Sequence, residues 1–155
     1  VNVRACGICG SDSTMLDLGY PISGIPGHEI AGELEDGTPV AIEPLKPCGA
    51  CRYCQTGDTQ VCTAGKSSIF GVGLDGGMAE KIRVPSSSLV ALPRGVDATT
   101  GFLVEPLAVA VHGVRRSGLD GQTRVLVMGG GTIGLSAVAA ARAAHAEVDL
   151  VARLL

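Results

Sequence analysis

The segment from Pro47 to Cys62 carries Cys48, Cys51, Cys54 and Cys62, separated by two, two and seven residues. No other feature restricts this chain as tightly. Four thiols so close together can wrap one tetrahedral Zn²⁺ inside a single lobe, and a closed four-sulfur shell leaves no position for a substrate. Such a site is structural, because its binding free energy is folding free energy. The first three cysteines also suit a bacterial [4Fe–4S] run, but that pattern places its fourth Cys three residues on and follows it with Pro. Here the gap is seven and Thr63 follows. A disulfide framework is the third alternative, and clustered Cys pairs without a secretory signal read first as metal ligands.

Composition narrows the class. Hydrophobic residues make up 46% and charged residues 17%, with mean hydropathy +0.36, which excludes an intrinsically disordered segment. The net charge is −3 and the longest basic run is Arg115-Arg116, so a nucleic-acid or anionic-membrane footprint is absent. Apolar runs such as Leu107–Val111 fall far short of the ~20 residues that span a bilayer. The chain opens on Val1 with no signal peptide in view, and is expected to be a soluble cytoplasmic protein or a piece of one.

The pattern along the chain predicts two unequal parts. Up to about Val96 the sequence reads as short strands and turns. Ile30–Leu34 and Pro39–Ile42 flank a tight Glu35-Asp36-Gly37 turn, and Met78–Val84 and Leu89–Leu92 read as further strands. Then Thr99–Ser117 reads as helix interrupted near Pro106, Arg124–Met128 as a buried strand, Ile133–Ala144 as an alanine-rich helix, and Val148–Val151 as a second strand. That last run is the opening of a parallel α/β sheet.

A second constellation is looser. Cys9 lies in Gly7-Ile8-Cys9-Gly10-Ser11-Asp12, and His28-Glu29 follow Gly27. A Cys, a His and a carboxylate from separate loops suit a catalytic zinc, which needs three protein ligands and one open position. Ser11 could then move a proton, and Asp12 could accept the second N–H of His28. Each residue also has an ordinary reading: an isolated Cys is a small hydrophobe, and a His-Glu pair is a surface pair. Cys6-x-x-Cys9 could be a redox pair, though it lacks the βαβ setting of such motifs. Spacing alone leaves this site open.

The third is Gly129-Gly130-Gly131-Thr132-Ile133-Gly134, a G-x-G-x-x-G between a predicted strand and a predicted helix. Gly129 makes the turn, Gly131 lets backbone approach a pyrophosphate, and Gly134 lets helix pack on strand. The helix start, at Thr132 and Ile133, offers N–H groups and a partial positive charge to phosphates.

Taken in order, these residues resemble the zinc-containing medium-chain alcohol and polyol dehydrogenases. Also carrying the resemblance are Gly76-Gly77-Met78-Ala79-Glu80 and Glu105-Pro106-Leu107-Ala108-Val109-Ala110-Val111-His112. It implies a GroES-like β domain over residues 1–118, then the first β-α-β of a Rossmann doubly wound parallel sheet over 119–155, with catalysis in the cleft between domains. It implies a catalytic zinc on Cys9, His28 and a carboxylate from Glu105, or Glu29 by exchange. It implies a structural zinc on Cys48, Cys51, Cys54 and Cys62, hence two zincs per full-length chain. A Glu at position 105 is similar to the polyol, threonine and sugar branches, so the expected substrate is a small alcohol, polyol or amino alcohol. The parent is expected to be a homodimer or homotetramer. Two departures stand out: Thr14 replaces a proton-passing His of many relatives, and the His28–Glu43 segment is short. His112 and His145 read as ordinary helix residues.

The resembling proteins are more than twice this length, so the chain is expected to be an inactive fragment lacking the family's first strands and most of its Rossmann sheet. Cofactor choice turns on the end of the second strand, where NAD-using domains place an acidic residue. That position falls on Ala152, eighteen residues past Gly134, and Arg153 beside it can pair with a 2′-phosphate. NADP(H) is therefore expected over NAD(H), with Asp149 read as mid-strand. The rival reading is a non-catalytic, zinc-stabilised binding or structural module of the same descent.

Overall fold

The computed structural model describes residues 1–19 and 24–153. Its described residues form two compact units, Val1–Glu105 and Pro106–Leu155.

The first unit is built on a four-stranded antiparallel sheet: β1 (Asn2–Gly7), β2 (Glu29–Glu33), β3 (Pro39–Ile42) and β4 (Leu89–Ala91), in that order across the sheet. A short helix, α1 (Gly10–Asp17), follows β1. The β2–β3 turn at Glu35-Asp36-Gly37 is as predicted, with Gly37 at φ +84 and the Thr38 N–H donating to Asp36 Oδ1 at 2.9 Å. Side chains alternate in size along β2 and β3. Ile30 and Ile42 join Phe70 and Ile82 in the core, where each fully buried isoleucine contributes about 2 kcal/mol. Ala31, on the opposite face, is small enough to admit the 3₁₀ turn Gly101–Leu103, and a Cβ on Gly101 would meet the Ala31 methyl at 2.9 Å. That turn leads into α3 (Val104–Ser117), and so delivers Glu105.

Beyond α3, the second unit is a β-α-β. Strands β5 (Arg124–Met128) and β6 (Glu147–Val151) pair in parallel, Val125 opposite Val148, and α4 (Thr132–Ala143) connects them. Val125, Val127 and Val148 lie on the better covered face, whereas Leu126 and Met128, on the other, are 59% and 82% exposed. No helix among the described residues is long and apolar enough to cross a membrane.

Three expectations need correction. Met78–Val84 does not form a strand: it meets Val1–Val3 through an isolated bridge, Asn2 to Lys81, and three backbone bonds. The helix at 104–117 is not interrupted at Pro106, because a third helical residue has no intrahelical partner for its N–H. His145 is not a helix residue. It follows α4 with φ +66, its N–H donates to Arg142 O, and the Ala146 N–H returns to Ala141 O, as in a left-handed helix stop. A Cβ there carries the steric cost that glycine avoids. His145→Gly is expected to raise stability of the full-length protein by about 1 kcal/mol, read from urea unfolding; a lowered midpoint would contradict it.

Candidate functional site

The β1–β2 register places Gly7 opposite Glu29. Cys9 lies just beyond β1 and caps α1, His28 immediately precedes β2, and Glu29 opens it. One ligand atom from each of Cys9, His28 and Glu29 lies within 4.8 Å of the others. The close approach needs a glycine at position 7, since a Cβ there would run into Glu29 Oε2 and the Phe102 ring. Nothing in the spacing of the motifs marks Gly7, because its constraint comes from a carboxylate far along the chain.

Asp12 approaches both Cys9 and His28. It is buried, and its Oδ2 accepts the Cys9 N–H at 2.9 Å. Its Oδ1 faces His28 Nδ1 at 3.6 Å, and these two atoms are buried without any hydrogen-bond partner. Orphaned polar atoms of this kind are costly, and a ligating His held by a carboxylate is the arrangement that uses them. The donor set and these atoms therefore fit a cation with an open coordination position. Cys6, the other half of Cys6-x-x-Cys9, packs against the core, and its thiol is pushed up to about 11, chiefly by burial, then by the charges of Asp12 and Glu29. It stays a thiol.

Glu105 stands outside the mutual triad among the described residues. It is half-buried, and burial raises its carboxyl above the ordinary range, with His28 opposing and Glu29 adding to the shift. Ser11 is exposed in the first turn of α1. Thr14 donates its hydroxyl to Gly10 O at 2.9 Å, so its proton is committed to the helix backbone. His112 is a residue of α3.

The lobe brings Cys48, Cys51, Cys54 and Cys62 together. Sγ–Sγ separations are 3.5 Å for Cys51–Cys54, 3.9 Å for Cys48–Cys54 and 4.0 Å for Cys51–Cys62. A tetrahedron with Zn–S of about 2.3 Å has edges of about 3.8 Å, so the spacing fits zinc, and all six cysteines are free of disulfides. The sequence reads as loop here, yet α2 (Arg52–Thr56) and the 3₁₀ turn Thr59–Val61 fold between the cysteines. Backbone N–H groups of Thr63 and Cys54 hold the Cys51 thiol down to about 5, while desolvation and its bond to Cys51 push Cys54 up to about 12.

In the second unit, the glycines divide their work. Gly129 has φ +113 and its N–H donates to Val151 O at 2.8 Å. A Cβ on Gly134 would collide with Gly129 O, so α4 packs on the loop only with glycine there. Gly131 faces open space, and the N–H groups of Thr132 and Ile133 begin α4 without intrahelical partners. Ala152 borders the loop, 2.9 Å from a Cβ on Gly130, and Arg153 beyond it is exposed. Asp149 lies mid-strand and pairs with Arg124 at 3.0 Å.

An antiparallel β unit with two ligand clusters, followed by the start of a Rossmann-like sheet, defines a zinc-type dehydrogenase architecture. The family model described as alcohol dehydrogenase GroES-like domain matches residues 1–94, and the chain belongs to that family. It is 36% identical to L-galactonate-5-dehydrogenase of Escherichia coli K12 over 96% of this chain and 46% of that protein. Among solved structures, it is similar to one described as a zinc-binding dehydrogenase from Sinorhizobium meliloti 1021 bound to NADP. There the TM-score is 0.88 and identity 36%, covering 99% of this chain and 48% of that one. It is also similar to the acetophenone reductase of Geotrichum candidum in complex with NAD, with TM-score 0.86 and 27% identity over 96% and 48% of the two chains. The chain thus spans about half the length of the relatives it matches.

Of the four cysteines only Cys62 is buried, so the lobe has little core of its own. Stripping metal from the full-length protein is expected to abolish hydrogen-exchange protection across 48–62 while β2 and β3 stay protected, and Cys62→Ser to do the same. Unchanged protection of the lobe would refute a metal-dependent fold there.

Proposed function

We propose that the full-length protein is a zinc-dependent oxidoreductase that transfers a hydride between an alcohol or polyol hydroxyl carbon and a nicotinamide cofactor. The observation that carries this reading is the convergence of Cys9, His28 and Glu29 beside the orphaned Asp12–His28 pair. In this reading Cys9, His28 and Glu29 hold the catalytic ion, with Glu105 as the exchange carboxylate, and the four-cysteine lobe holds a second, structural zinc. When bound, the zinc supplies a Lewis acid that lowers the pKa of a substrate hydroxyl, and the nicotinamide supplies the hydride acceptor.

The chain's own residues do the rest. Asp12 holds the Cys9 backbone through its hydrogen bond and faces the His28 ring, which keeps the donor set together before any ligand arrives. Ser11, exposed beyond Cys9, accepts the hydroxyl proton. With Thr14 bonded to Gly10 O, Ser11 releases its own hydroxyl proton to solvent water as it accepts that of the substrate. Thr132 and Ile133 present their N–H groups to the pyrophosphate, with Gly131 leaving room for it. Ala152 leaves no carboxylate to repel a 2′-phosphate and Arg153 can pair with it, which supports NADP(H) over NAD(H). The pairing of Asp149 with Arg124 supports the same choice. The substrate class is a small alcohol, polyol or amino alcohol, and the enzyme is cytoplasmic, assembled as a homodimer or homotetramer.

Two tests follow from this assignment. Cys9→Ser in the full-length protein is expected to lower kcat/KM at least about a thousandfold and to reduce bound zinc from two per chain to one. An active variant, or a wild type with a single zinc, would sink the assignment. Ala152→Asp is expected to lower kcat/KM for NADP at least about tenfold and spare that for NAD. A wild type that prefers NAD would overturn the cofactor choice.

A further inference from the structure

The Gly76-Gly77-Met78 motif makes no ligand, yet it lies against the backbone that leads into His28. Three consecutive N–H groups are spent on three consecutive carbonyls. Gly76 donates to Ile25 O at 2.7 Å, Gly77 to Gly27 O at 2.9 Å and Met78 to Pro26 O at 3.0 Å. From the same turn, Asp75 Oδ1 accepts the Ile25 N–H at 3.0 Å. The two backbones are in van der Waals contact. A Cβ on Gly76 would strike Gly27 O and come 2.5 Å from Gly71 Cα, and a Cβ on Gly71 would strike Gly27 O as well. Gly27 itself has φ +95, and its own Cβ would fall 2.5 Å from Cys6 Sγ. All four glycines are buried.

We infer that the turn from Gly71 to Met78 is a positioning device for His28: Asp75 and the N–H groups of Gly76, Gly77 and Met78 hold Ile25–Gly27 so that the next residue emerges toward Cys9 and Glu29. This inference rests on the metal site proposed above. The Asp12 carboxylate faces His28 Nδ1 at 3.6 Å, a contact at the ring that does not fix the Cα. The backbone clamp supplies that constraint from outside the donor set. A metal site must hold its ligands to within about 0.5 Å, and outer groups that do so are worth ten- to a hundredfold in metal affinity. Asp75 and Gly76 are positioning residues: neither is among the ligating groups.

The test uses the full-length protein, with zinc exchanged for Co²⁺, and reads metal retention against a competing chelator together with the visible cobalt bands. Asp75→Ala is expected to lose one of two metals about tenfold more readily and to shift the bands of that site, while the four-sulfur site keeps its spectrum. Asp75→Asn, whose amide oxygen can still accept the Ile25 N–H, is expected to restore both readouts. Gly76→Ala should exceed the Asp75→Ala effect; if it does not fold, the Asp75 pair decides alone. Gly37→Ala, strained at φ +84 but with open space around it, should lower stability and leave the cobalt bands unchanged. Two metals held at wild-type affinity with unshifted bands in Asp75→Ala would overturn the clamp and leave the metal site standing. A single metal in the wild type would overturn both.

Discussion

The antiparallel pairing of β1 with β2 is the constraint on which the candidate metal centre depends. Antiparallel strands place the end of one beside the start of the other. With Gly7 opposite Glu29, the turn after β1 carries Cys9 to the point where His28 enters β2. A shift of one residue would send Glu29 to the other face of the sheet. The register is held by the bulk of Ile30 and Ile42 in the core and by the absence of a Cβ on Gly7, which leaves room for the Glu29 carboxylate.

The two ligand clusters are organised on different length scales. The four-cysteine lobe is local: its donors sit in one stretch of chain, and its structure between the cysteines is one short helix and one 3₁₀ turn. The Cys9–His28–Glu29 cluster is assembled across the sheet, and its supporting groups come from three separate parts of the chain. Asp12 comes from α1, Phe102 from the 3₁₀ turn that packs on Ala31, and the backbone clamp from the turn at Asp75. Local clusters tolerate motion in the rest of the fold, whereas the second cluster is only as well ordered as the sheet and turns beneath it.

Much was legible in the residues themselves. The β2–β3 hairpin, β5, α4 and β6 all follow from local turn chemistry, the glycine loop and apolar runs. β1 and α1 carry no comparable signature. Asn2–Gly7 mixes polar and small residues, and Gly10–Asp17 has apolar side chains only at Met15 and Leu16, so tertiary contact decides both. The strand expected at Met78–Val84 is reduced to an isolated bridge at Lys81, and the Met78 N–H at its start is spent on Pro26 O in the loop before His28. The helix break expected at Pro106 fails because Pro is tolerated in a first turn.

The sequence by itself determined the chemistry available: four thiols in one lobe, a Cys, a His and carboxylates outside it, and a glycine loop between strand and helix. Residue type and short spacing suffice for that, since ligand identity and turn geometry are local properties. Only the tertiary structure decided which carboxylate stands with Cys9 and His28, and it brought Glu29 within the cluster and left Glu105 beside it. It also decided that Cys6 is a core thiol rather than a partner of Cys9, and that Asp12 faces both Cys9 and His28. Those are distances between residues set by strand register and close backbone packing. No spacing along one chain encodes them.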